Sequence, residues 1–130
     1  MRTLAGCFWG WKQGWRRALD LEGRAGLWEY WCFKLGNALL AGLYAFVVDT
    51  GPDFLLYPLY PFYLAWGLAS FTLLIRRLHD LGLSALALLF YLVPLLNLVL
   101  MAMVAFFPGE RGTNPYGPPP RFPQPGPGRA

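Results

Sequence analysis

At 130 residues the chain has room for one domain, and its 56% hydrophobic against 14% charged content falls well short of the quarter of charged residues usual in soluble domains. A net charge of +4, spread among abundant aromatics, is too small to point to nucleic acid. The two cysteines, Cys7 and Cys32, lie 25 apart without a CxxC pair, and they read as free thiols facing the apolar phase, although the spacing leaves a bridge open.

The first 24 residues contain no continuous apolar run of the signal-peptide kind, because Lys12, Arg16, Arg17, Asp20 and Glu22 interrupt it. Residues 4 to 19 instead carry a helical period. Leu4, Cys7, Phe8, Trp11, Trp15, Ala18 and Leu19 form one stripe, with Lys12, Gln13, Arg16, Arg17 and Asp20 opposite. Residues 1–24 are therefore expected to form an amphipathic segment lying in a membrane interface, with a helix packed on the bundle as the alternative. Gly6, Gly10 and Gly14 repeat every four residues, a spacing that permits close helix contact but weakens the helix.

Residues 25–107 read as a transmembrane helical domain. A first span over about 30–48 carries Lys34 near its end, where the stem can snorkel, beside Trp28, Tyr30 and Trp31. Ala38, Ala41, Gly42 and Ala45 give it a seam of small residues, and the turn Asp49–Asp53 follows. The second span, about 54–75, has 22 residues without a charge. As helix that is roughly 33 Å, enough for a hydrocarbon core of about 30 Å. Pro58 and Pro61 predict that its first half is kinked or starts late. The third apolar segment, about 83–107, is too short for two crossings. One tilted or broken span is expected, and a re-entrant hairpin around Pro94 and Asn97 stays open. Residues 108–130 hold 8 prolines and 5 glycines and are expected to be a disordered tail. The run Pro119–Pro123 offers a polyproline motif, though a plain extended tail has the same composition.

Basic residues orient the bundle. Three spans place eight of the eleven on the N-terminal side, including Arg76 and Arg77, and put the N-terminus in the cytoplasm and the tail outside. A re-entrant third segment places all eleven inside.

Three motifs then stand out together: Gly23-Arg24-Ala25 with Glu29-Tyr30-Trp31; Arg76-Arg77-Leu78-His79-Asp80 with Ser84; and Gly112-Thr113-Asn114-Pro115-Tyr116-Gly117 before Pro120. In this order and spacing, over roughly residues 20 to 120, the chain resembles the domain of unknown function 805 family of small bacterial inner-membrane proteins. The resemblance implies a multi-pass protein of the bacterial inner membrane and carries no established activity.

The topology gathers Arg24, Glu29, Arg76, Arg77, His79 and Asp80 at one leaflet as a candidate polar or anionic-lipid cluster. Glu29 is expected to pair with Arg76 or Arg77, and Asp80 to cap the next helix or hold His79. Surplus arginines are the groups that would hold an anionic headgroup or phosphate. Neither a metal-ligand set nor a nucleophile–base pair has recognisable spacing, so no cofactor, metal or enzymatic activity is expected. The expected function is a non-enzymatic membrane scaffold or regulatory module, with an oligomeric transport or channel component as the alternative. The partners expected are the lipid bilayer and either a second copy or another membrane protein.

Overall fold

A computed structural model describes residues 4–120; the regular elements among them are all helices, with an isolated bridge between Asn114 and Gly117 as the one β feature of the described residues. Four α-helices run α1 Leu4–Arg16, α2 Leu27–Thr50, α3 Leu59–Asp80 and α4 Pro94–Phe106, with 3-10 helices at Asp53–Leu56 and Ala85–Leu92.

Helix α1 packs on α2 and α3. The contact runs through its buried glycines, where the missing side chains let backbone approach backbone. A Cβ at Gly10 would lie 3.2 Å from that of Cys32, and one at Gly14 would collide with the Phe33 ring. Trp15 closes the junction, its ring 5.6 Å from Phe33 and 6.1 Å from Phe62 of α3. The alternative of a helix packed on the bundle thus describes α1, while Leu4 and Phe8 of its stripe stay exposed. The helix stops at Arg16, so the expected 1–24 segment is not one element. Arg17 bonds to the Asp20 carboxylate (2.7 Å) and the Glu22 carbonyl (2.8 Å), folding residues 17–23 into a loop. Slight burial favours the neutral form of Asp20, but the Arg17 hydrogen bond, the Glu22 N–H and nearby guanidinium charge hold its carboxyl below the ordinary range.

At 24 residues α2 is about 36 Å long. Among the described residues it is the one helix long and apolar enough, by length and composition, to cross a membrane. Its buried residues, Glu29, Cys32, Phe33 and Asn37, all lie in the N-terminal half. Leu35, Leu39, Leu43 and Phe46 face outward. Helix α3 starts at Leu59, with Pro58 as N-cap and Pro61 in the first turn, positions where a missing N–H interrupts no intrahelical bond.

Residues 83–107 do not form a continuous third span. Val93 takes an extended conformation (φ −108°, ψ 115°), as steric clash with a following proline dictates, and Pro94 opens a new helix. The 13 residues of α4 reach only about 20 Å. Ala87 of the 3-10 helix, Leu100 and Val104 of α4 and Leu78 of α3 bury one another, so the segment doubles back on α3 as a hairpin. The chain after it corrects a second expectation. Residues 108–118 are not a disordered tail leaving the far end; they return to the C-terminal end of α3. Residues 121–130, with the end of the polyproline run, lie outside the described residues.

Candidate functional site

The site is built on the last turn of α3. Leu83 N–H bonds to the Leu78 carbonyl (2.9 Å) and Gly82 N–H to the His79 carbonyl (3.1 Å), the paired bonds of a Schellman cap. The cap needs a left-handed residue, and Gly82 supplies it at φ 75°. The chain therefore leaves the helix sharply, and Arg76, Arg77, His79 and Asp80 remain packed beneath it, all of them buried.

Asp80 is the centre. One carboxylate oxygen accepts from Arg24 Nε (3.0 Å) and lies 2.9 Å from Arg24 Nη2; the other accepts from Arg77 Nη1 (2.6 Å). Both guanidinium groups spend their remaining donors on carbonyls of the returning chain. Arg24 Nη1 donates to Gly112 (2.7 Å) and Gly117 (3.3 Å), and Nη2 donates to Glu110. Arg77 Nε donates to Val104 (3.0 Å) and Nη2 to Phe107. Glu110 N–H in turn donates to the Asp80 carbonyl (2.9 Å). Every guanidinium nitrogen of the two arginines thus has an acceptor, and the Asp80 carboxylate offsets one of the two positive charges that would be costly to bury alone.

His79 does not touch Asp80, and Asp80 does not cap the following 3-10 helix, whose N-cap is Ser84. The His79 ring lies flat on Tyr116, centroids 3.9 Å apart and planes within 1°. Its Nδ1 is 3.2 Å from the Gly23 carbonyl, which can only accept, so Nδ1 carries the proton. Asn114 Nδ2 holds the His79 carbonyl and the Glu110 carboxylate, each at 2.8 Å. Backbone bonds in both directions between Asn114 and Gly117 (3.2 and 2.9 Å), with Tyr116 N–H on Asn114 Oδ1 (3.0 Å), shape residues 114–117 into a turn. Glu110, Asn114 and Tyr116 were not among the expected site residues. Asn-Pro-x-Gly is a turn signature, with proline at the second position and glycine at the fourth, and it marked an ordered turn inside the supposed tail.

Toward α2, Arg76 Nη1 donates to Glu29 Oε1 at 3.1 Å. This pairing differs from the Asp80 centre. The Arg76 side chain is 0% exposed, yet its Nε and Nη2 have no acceptor. All six candidate residues therefore collect at one end of the bundle; Arg24, Arg77 and Asp80 form one ionic centre, Glu29 and Arg76 a second beside it, and His79 stacks on Tyr116 outside both. Lys34 stands apart, its Nζ 5.8 Å over the Tyr30 ring. Among the described residues, no three His, Cys, Asp or Glu side chains are grouped to hold a metal ion.

Comparison with known proteins adds a family. The profile of a family described as protein of unknown function (DUF805) matches residues 18–118. The chain is similar to the inner membrane protein YhaI of Escherichia coli K12, with 33% identity over 104 residues, covering 80% of this chain and 88% of the relative. The same figures hold for YhaI of Escherichia coli O157:H7. No solved structure matches.

Proposed function

The chain belongs to the DUF805 family, and we propose that it is a multi-pass inner-membrane protein that acts without chemistry of its own, as a scaffold or regulatory module. One observation carries this reading. Arg24, Arg77 and Asp80 are committed to one another and to backbone carbonyls, which makes the most polar centre of the protein a clasp rather than a reactive site. The membrane location is supported by the E. coli relatives' name and by the outward apolar surface of α2.

In this reading α2 and α3 cross the bilayer, and the hairpin of residues 85–106 enters and leaves through one leaflet. Loop 81–84 and residues 107–117 then share a side, since both are bonded to the end of α3. The N-terminus is cytoplasmic, and all eleven basic residues lie inside, the distribution favoured by the cytoplasmic bias of Lys and Arg. A reporter active only in the cytoplasm, fused after Ala130, is expected to be active, and a periplasm-active one silent. The opposite pattern overturns the re-entrant hairpin. In liposomes the pure protein is expected to pass no ion flux above the leak of empty vesicles; reproducible flux would move it to the transport class.

A further inference from the structure

We infer that Arg76 is the anchor of a binding site for a phosphoryl oxyanion at the junction of α1, α2 and α3. The shape of the guanidinium sets what can bind it. Its Nε–H and Nη2–H form one planar edge, the edge that matches two oxygens of a phosphate or carboxylate side by side. In Arg77 the nitrogens of this edge donate to the Val104 and Phe107 carbonyls. In Arg76 it is the edge left empty, while Nη1 alone holds Glu29. A cation 0% exposed with its two-oxygen edge vacant is costly, because buried donors without partners keep their full desolvation penalty.

The neighbourhood cannot fill the vacancy. The Thr72 hydroxyl, one turn earlier on α3, donates to the Ala18 and Ala69 carbonyls and does not accept from Arg76. The indole N–H groups of Trp11, Trp15 and Trp66, packed around Phe33, Ala69 and Leu73, also have no acceptor. Against these five donors the same three helices leave one buried side-chain acceptor without a partner, Asn37 Oδ1. The indoles lie further along the bundle, Trp66 about 15 Å from Arg76 along α3, but Arg76 alone has three vacant N–H donors, one on Nε and two on Nη2, and these suit an acceptor with several oxygens. Phosphate offers more directions than the two oxygens of a carboxylate. The ligand enters when α1, which packs on α2 at Gly10 and Gly14, moves off it. The inference rests on this geometry and not on the proposed topology; a lipid phosphodiester and free phosphate share the required chemistry.

The test uses the full chain in a neutral detergent, titrated separately with inorganic phosphate, with phosphatidylglycerol in mixed micelles and with a neutral glycolipid as control. The expected result is a saturable rise in thermal midpoint with one or both phosphoryl probes and none with the glycolipid, with hydrogen-exchange protection over residues 24–30 and 70–80. Response to phosphatidylglycerol alone assigns a lipid source, and response to both assigns a site open to free phosphate. Arg76→Lys keeps the charge but loses the flat edge and is expected to weaken binding roughly tenfold. Glu29→Gln removes a competing anion and is expected to leave binding as tight or tighter, whatever it does to stability. The inference is overturned if wild type shows no saturable response, if protection falls elsewhere, or if Arg76→Lys binds as wild type. Equal loss in Glu29→Gln and Arg76→Lys also overturns it, because that pattern reports only a damaged fold. Should Arg76→Lys fail to fold, the wild-type titration and its protection map decide alone.

Discussion

Arg76 and Arg77 are chain neighbours, both 0% exposed in their side chains, and the chain treats them in opposite ways. Arg77 faces a carboxylate that it shares with Arg24, and two carbonyls from the end of α4 complete its bonds. Arg76 faces one carboxylate and has nothing for its other edge. Burial alone therefore says little about a charge. What matters is how many acceptors the fold delivers to it, and here residues 104–117 deliver them to Arg24 and Arg77 and none to Arg76.

The comparison breaks most sharply at Asp80. Asp80→Asn leaves two buried guanidinium groups short of their shared charge, and removing one partner of a buried pair costs on the order of 3–5 kcal/mol. Thermal unfolding in detergent is expected to show the largest loss of any single change proposed. A variant that melts with wild type would mean that the clasp does not anchor the fold. Glu29→Gln is expected to cost less, about 3 kcal/mol at most, because it strands one arginine rather than two. Combined with Arg76→Gln, the double change should cost less than the sum of the singles; strict additivity would show that the two groups do not interact.

Smaller effects sharpen the same contrast. A Cβ at Gly109 would collide with the Asp80 carboxylate, so Gly109→Ala is expected to cost about 1–3 kcal/mol, as overpacking does. Its damage should appear as faster hydrogen exchange at residues 107–117 with residues 29–33 unaffected. Equal exchange in both regions would deny that the two centres are separate. Tyr116→Leu removes the ring stacked on His79 and is expected to cost about 0.5–1.5 kcal/mol, with Tyr116→Phe near neutral. If Tyr116→Phe falls as far as Tyr116→Leu, the hydroxyl and not the stack holds the turn.

Local pattern alone determined the helical content, the apolar run that becomes α2, the late start of α3 behind Pro58 and Pro61, and the vulnerability of the chain near Pro94. Each follows from rules acting within a few residues: periodicity, a missing N–H, the clash a proline imposes on its predecessor. Which carboxylate meets which arginine was only half legible. Glu29 with Arg76 was one of two expected pairings, while Asp80 turned to Arg24, 56 residues away, and not to His79. Tertiary structure alone decided the return of residues 107–117 to the end of α3. The physical reason is that this return is held by arginine donors on backbone carbonyls, at Val104, Phe107, Glu110, Gly112 and Gly117. Every residue has a carbonyl, so no side-chain pattern records which ones a distant guanidinium will use.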